Sequence, residues 1–242
     1  LLKSTSVAGS FAVIAFIDSG EIDRAKKILN KMSLLQVING QWFDCYDASS
    51  TSGGLCTSGS TNIYDTGPIA WMITAINYYE SKTRDKSYSA MAVKSLGWLD
   101  SLMNTNSSDG RYGSIKFCGG SYCNLPNAIS TEHNLDAYAA YLGRAKISGD
   151  SSYKNKAYLI RNYLVREMWA PSSTSKGPYH NVNVFWRGYN DYSWCTDPQT
   201  WGVLSLGKIG PKGEEFYKSL DWLYDNPSGS TRNKQNYNST IT

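Results

Sequence analysis

Three acidic residues stand where apolar segments begin. They are Asp65 in Tyr64-Asp65-Thr66-Gly67, Glu132 in Ser130-Thr131-Glu132-His133-Asn134-Leu135-Asp136, and Asp197 in Asp197-Pro198-Gln199-Thr200-Trp201-Gly202. Their steps along the chain are nearly equal, 67 (from 65 to 132) and then 65 (from 132 to 197). Recurrent carboxyls of this kind suit glycoside hydrolysis, in which a protonated carboxyl donates to the leaving oxygen while a second carboxylate activates water or attacks carbon. Glu132 is the expected proton donor, with Asp65 or Asp197 as the base. Asp136, one helical turn beyond Glu132 and hence on the same face, is a sugar-hydroxyl ligand or a support for that acid. The competing reading is helix capping, because carboxylates accept bonds from free N–H groups at a helix start and complement its dipole. Thr131 provides a cap of its own, which leaves Glu132 free. The same dipole lowers a carboxyl pKa, so a donor at this position must be raised again by burial.

Other residue types add less. His133 adjoins Glu132 and is a candidate substrate contact or base, but neighbours on a helix point about 100° apart, so the two cannot both face one axis equally. The tryptophans Trp42, Trp186 and Trp194, with Tyr46, Tyr64 and Tyr122, lie in predicted loops, where an aromatic face can stack on a sugar ring. Trp71 and Trp201 fall at helical spacing and read as core. There is no G-x-S-x-G elbow, P-loop, H-E-x-x-H or Rossmann fingerprint. Five cysteines form two local pairs, Cys45 with Cys56 and Cys118 with Cys123, leaving Cys195 as a free thiol. Only His133 and His180 could complete a zinc set, so disulfides are expected, and neither a metal nor a cofactor is.

The elements that must hold these residues repeat. A helix opening at Asp65 is followed by another over about 87–103. One opening at Thr131 is followed by another over about 152–169. A third opens at Thr196, with its second helix over about 212–224. An earlier pair covers 6–17 and 21–32, so four hairpins of about 65 residues are visible. Within a hairpin the link is short, as in Ser148-Gly149-Asp150-Ser151, and long loops join one hairpin to the next. A lone hairpin cannot bury its apolar face and must stack on others. Stacking around an axis places every first helix, and every long loop feeding it, at the same end. The expected fold class is therefore an all-α toroid of stacked hairpins, one domain over 1–242, with Asp65, Glu132 and Asp197 around one mouth.

Composition narrows the function classes. The chain has 242 residues, 41% hydrophobic and 18% charged, with 13% aromatics, which excludes a disordered chain. A net charge of +4 from scattered basic residues gives no nucleic-acid footprint. The apolar run Phe11 to Ile17 is far shorter than the roughly 20 residues of a membrane span. Disulfides and the sequons at Asn106 and Asn238 fit an extracellular or cell-surface location. Protein partners are not specified.

The strings Tyr64-Asp65-Thr66-Gly67, Ser130 to Tyr138 and Asp197 to Gly202 resemble the six-hairpin glycosidase-like superfamily of (α/α)6 toroids, in particular secreted members, over roughly residues 60–225. The resemblance implies glycoside-processing chemistry on a polysaccharide or glycan, with acidic catalytic residues at the inner-helix mouth. Such toroids have six hairpins and four are visible here, which implies missing terminal segments or an open ring. Neighbouring helices pack about 8–10 Å apart, closer to the 6.5–9.5 Å carboxyl separation of an inverting pair than to the 5–5.5 Å of a retaining one. Two alternatives stand beside hydrolysis. One is a non-catalytic cell-surface or filament scaffold. The other is a polysaccharide lyase, with Tyr64 as base, His133 as acid, and Arg111, Arg187 and Lys116 as candidate uronate contacts.

Overall fold

The computed structural model describes residues 3–47, 54, 63–121, 123–171 and 182–225. Eight α-helices fall within them: α1 (Ser6–Asp18), α2 (Ile22–Leu35), α3 (Thr66–Thr83), α4 (Ser89–Leu102), α5 (Thr131–Ser148), α6 (Ser151–Tyr163), α7 (Thr196–Leu206) and α8 (Lys218–Asp225). The odd-numbered helices pack side by side in the order α1, α3, α5, α7, and each even-numbered helix packs on the odd one before it. This is an all-α arc of four stacked hairpins, with an inner row and an outer row. The longest inner helices, α3 and α5, each end on a left-handed residue, Arg84 and Gly149, whose amide returns to the carbonyl four residues back. That geometry stops the helix and turns the chain into its outer partner.

The long loops fix which ends of the inner helices coincide. Ser6, Thr66 and Thr131 each begin an inner helix, and each donates its amide to a loop carbonyl: Asp44 O (3.0 Å), Phe117 O (2.9 Å) and Arg187 O (2.9 Å) respectively. All three hydroxyls add a further bond, Ser6 Oγ to Phe43 O at 3.4 Å, Thr66 Oγ1 to Lys116 O at 2.6 Å and Thr131 Oγ1 to Trp186 O at 2.5 Å. One residue earlier the chain pairs as antiparallel backbone. β1 (Lys3–Thr5) meets β2 (Cys45–Asp47), β3 (Tyr64–Asp65) meets β4 (Cys118–Gly119), and Ser130 bridges Gly188. Two of the loops also reach forward to the next inner helix. The Asn134 carboxamide accepts from Ile115 N (2.8 Å) and donates to Ile115 O (2.9 Å), and Gln199 clamps Phe185 the same way at 2.7 Å and 2.7 Å. The loop between two hairpins thus staples consecutive helix N-termini together and satisfies backbone groups that a helix start would otherwise leave open. All inner helices therefore begin at one end of the arc.

This register corrects the spacing read from the acids. Thr66, Thr131 and Thr196 each open an inner helix, and the two steps between them are identical. Asp65 precedes its threonine whereas Glu132 and Asp197 follow theirs, so the longer step from Asp65 to Glu132 compares different places in the repeat.

One contiguous apolar cluster runs through the arc from Val13 to Phe216, and the inner faces of α3 and α5 supply much of it. Inside it lies a polar knot. Arg144 Nη1 meets Glu80 Oε2 at 2.9 Å, Ser89 Oγ meets Glu80 Oε1 at 2.7 Å, and Asn77 Nδ2 donates to Ala140 O at 3.0 Å, joining α3, α4 and α5. Two predicted elements differ in extent. α8 begins at Lys218 rather than near 212, because Gly213 sits in the left-handed region in a turn that precedes it. The predicted 152–169 helix ends in a π-helical turn, Leu164–Met168, before β5 (Trp169–Ala170), which pairs with β6 (Val184–Phe185). Cys118 and Cys123 are bonded, and Cys195 is free. Cys45 is also disulfide-bonded. Its predicted partner Cys56, together with Tyr122, His180 and Asn238, lies outside the described residues.

Candidate active site

Between the N-termini of α5 and α7 lies a cavity of about 520 Å³. Its walls are the α4–α5 loop, with Arg111, Phe117 and residues 124–129, and the α6–α7 loop, with Arg187–Asp191, Trp194 and Cys195. Its floor is the first turn of each helix, carrying Ser130, Glu132, His133, Asp197 and Pro198. These are the helix ends stapled by Thr131, Asn134 and Gln199, so the backbone under the acids is held on both sides. Ser130 Oγ caps α5 by accepting from His133 N at 3.3 Å. Glu132 is thereby released from capping, although the capping residue is Ser130 rather than the expected Thr131, whose hydroxyl is spent on the loop.

Glu132 is half-buried, and its carboxyl is raised above the usual range, first by burial, then by the charge of Asp197, against the opposing pull of Arg187. Burial thus shifts the carboxyl in the direction a proton donor requires. Asp197 is exposed at the cavity edge. Asp136 lies deeper, 6% exposed, with its carboxyl raised well above the usual range by burial and by the charges of Glu132 and Asp197. A hydrogen bond with Trp71 acts the other way. Asp136 lines a separate, smaller cavity of about 90 Å³ with Trp71, Thr74 and Trp201. Glu132, Asp136 and Asp197 therefore form one acidic cluster, with its deepest member outside the main cavity.

His133 stacks on Phe117 (4.3 Å, 15°), and its Nδ1 lies 3.4 Å from Phe117 O. A carbonyl only accepts, so that contact places the proton on Nδ1. The ring presses on Gly67, where a Cβ would lie 2.6 Å from His133 Cδ2, so glycine is required for this packing. Burial drives the imidazole down to about 4, and it is neutral at physiological pH. Cys195 is pushed up to about 12 by burial and the surrounding acids, which argues against a thiolate nucleophile.

Several predicted residues fall elsewhere. Asp65 does not line the cavity. It occupies the N-cap position of α3 without making a side-chain cap, and burial, with the charge of Asp44, raises it to about 7. Tyr64 packs on Phe43 (4.6 Å) rather than on the cavity, so it is not brought together with His133 as a lyase pair would require. Trp42 is fully buried, its indole donating to Met32 O at 2.8 Å, and Tyr46 is buried too. Trp186 is 1% exposed in a cluster with Val184 and Trp222. None of these three offers an open sugar platform. Their loops are pulled inward because the same backbone staples the inner helices. Trp194 does line the cavity, edge-on to Trp222 at 4.8 Å. The lining includes Arg111, gripped by Asp109 (Nη2 to Oδ2, 2.7 Å), and Arg187, 3.6 Å from Asp191. Two of the three candidate uronate contacts, one from each loop, thus share a cavity. Lys116 is not part of it. Asn134 and Gln199 escaped sequence reasoning, though both stand three places after the threonine that opens their helix. Among the described residues no cluster of three acidic, histidine or cysteine ligands offers a metal site.

An arc of stacked helical hairpins, with an inner row and an outer row, is the architecture of the α/α toroids. No protein-family model and no curated protein matches the chain. Among solved structures it is similar to a GH8 endo-β-1,4-glucanase from an Achatina fulica gut metagenomic library, with TM-score 0.59 and 14% identity over 93% of this chain and 70% of that one. It is also similar to a sugar epimerase from a ruminal bacterium, with TM-score 0.65 and 12% identity over 93% and 60%. Cellobiose 2-epimerase from Bacillus thermoamylovorans gives TM-score 0.63 and 11% identity over 92% and 59%. The chain spans about three-fifths of the length of the two epimerases. At these identities the likeness is one of fold.

Proposed function

We propose that the chain binds a glycan in the cavity between α5 and α7 and hydrolyses a glycosidic bond there. The observation that carries this reading is the pairing of Glu132, half-buried and raised, with the exposed carboxylate Asp197 across one cavity. Glu132 keeps its proton to higher pH than a free carboxyl and donates it to the leaving oxygen. Asp197 faces solvent and takes the proton of the attacking water. Arg187, beside Glu132, stabilises the carboxylate formed once the proton has left. Asp136 supports the pair from beneath, where its own charge would repel both. Water attack on the face opposite the leaving group would invert the anomeric centre, which proton NMR of the first-formed product reads directly. The Cys118–Cys123 disulfide fits action at or outside the cell surface. Among the described residues no helix is long and apolar enough to cross a membrane.

The similar structures include both an endoglucanase and epimerases, and His133 in the cavity floor supports epimerisation as the second reading. Product analysis on β-glucan and on cellobiose separates the two, since hydrolysis creates reducing ends and epimerisation does not. The test of the leading reading is Glu132→Gln, which keeps size and hydrogen bonding but removes the acid. Activity should fall about 10²–10⁴-fold with binding retained. Cleavage within a few-fold of wild type would remove Glu132 from the role. Glycan binding without turnover by the wild type would favour a scaffold.

A further inference from the structure

We infer that Trp71 and Trp201, closing over Asp136 on the axial side of the inner row, form a binding position for one pyranose ring beneath the main cavity. The internal repeat defines the place. Phe11, Trp71, Asp136 and Trp201 each lie five residues after the residue that opens their inner helix, Ser6, Thr66, Thr131 and Thr196 respectively. Equivalent positions on stacked helices face the same way, so the four side chains form one row across the arc. The ring contacts follow that row. Phe11 meets Trp71 at 4.6 Å and 64°, and Trp71 meets Trp201 at 5.0 Å and 70°. α5 lies between α3 and α7, and the two indoles meet across it where it carries the shorter aspartate.

The row is not sealed as a core would be. Phe11 is 43% exposed, and Trp71 and Trp201 are half-buried. The pocket of about 90 Å³ between the indoles and Asp136 is also lined by Thr74 and Ser205. An apolar partner seated here would cover Asp136, already 6% exposed, and leave its hydrogen-bonding capacity unanswered. A pyranose instead sets its C–H face on an indole and turns its hydroxyls to the carboxyl. Burial raises that carboxyl well above the usual range, and in its protonated form it both donates and accepts. Asp136 and Trp201 stand four residues after Glu132 and Asp197 on the same helices, so the pocket lies about 6 Å deeper along the same faces. A glycan held between the two acids therefore places an adjoining sugar on the indoles. The small volume admits one ring and no longer segment.

The ring position presupposes that the main cavity takes a glycan, but not that it cleaves one. The test is calorimetric titration with β-1,4-linked glucose, mannose and xylose oligosaccharides, on chains carrying Glu132→Gln so that turnover is suppressed. Trp201→Leu in that background should weaken the best-bound oligosaccharide about 3–10-fold, the worth of one aromatic contact, and Trp201→Tyr, which keeps a stacking face, should recover most of the loss. Trp71→Leu is the second variant, and thermal midpoints verify that each chain is folded. Unchanged affinity in both leucine variants overturns the ring position alone. No binding of any oligosaccharide overturns it together with the glycan reading. If the leucine variants instead abolish a concentration-dependent self-association in sedimentation, with sugar affinity unchanged, the face belongs to a second copy and the ring position is overturned. A wild type that binds these oligosaccharides without cleaving them refutes hydrolysis and leaves the affinity pattern intact, so the two failures are distinct.

Discussion

Replacing Asn134 by leucine removes the staple beneath the candidate acid while keeping a side chain of similar bulk. In the wild type this carboxamide bonds both the amide and the carbonyl of Ile115, which is fully buried, and also reaches Ser130 O at 2.8 Å. Leucine orphans the two Ile115 groups where water cannot replace the partner. At about 1–3 kcal/mol for each stranded buried group, the loss is about 2–6 kcal/mol. A chain of this size loses about 2–4 °C of midpoint per kcal/mol, so the transition should fall by at least about 4 °C. Urea unfolding should show a lower midpoint with an unchanged slope, since the surface exposed on unfolding is the same. Gln199→Leu is the built-in control, because it breaks the same clamp on Phe185 in the next hairpin and should fall in the same range. If both variants unfold within about 0.5 kcal/mol of wild type, the loops do not staple the helix N-termini, and the account of how the cavity is held is wrong.

Two further outcomes follow from buried titrating and charged groups. The His133 imidazole is held down to about 4 against an unfolded value of about 6.5, so the unfolded chain takes up a proton that the fold refuses. That contribution is complete above about pH 6.5 and is lost as pH falls towards 4, on the order of 3 kcal/mol. Wild type should therefore lose more stability than His133→Gln between pH 7 and pH 4.5, and equal losses in calorimetry would contradict the assignment. Arg144→Met leaves Glu80 charged and buried, and should cost about 3–5 kcal/mol. The double variant Arg144→Met with Glu80→Leu should recover much of that loss, and failure to recover would show that packing rather than charge dominates.

Much of the architecture is legible in the order of residues. Helical periodicity exposes four hairpins, and short links against long loops show which helices pair. A recurring interval between helix starts implies that the inner helices begin together, because equivalent segments stack in equivalent ways. The acids at Glu132 and Asp197 follow from that repeat, and the bond between Cys118 and Cys123 from local spacing. What sequence could not assign is which side chains each helix start spends on its own backbone. Thr131, a good cap by type, bonds the distant loop carbonyl of Trp186, while Ser130 does the capping. Asp65, also a good cap by type, caps nothing and meets the charge of Asp44 instead. Trp42, Tyr46 and Trp186 have the composition of a sugar platform but are drawn into the core, because the loop backbone beside them bridges two helices. Arg111 and Arg187, on different loops and far apart in the chain, share a cavity only because successive loops lie side by side at the mouth of the arc. Local pattern therefore determined the elements and their order. Non-local hydrogen bonding and burial decided which polar groups were consumed by the fold and which were left for chemistry.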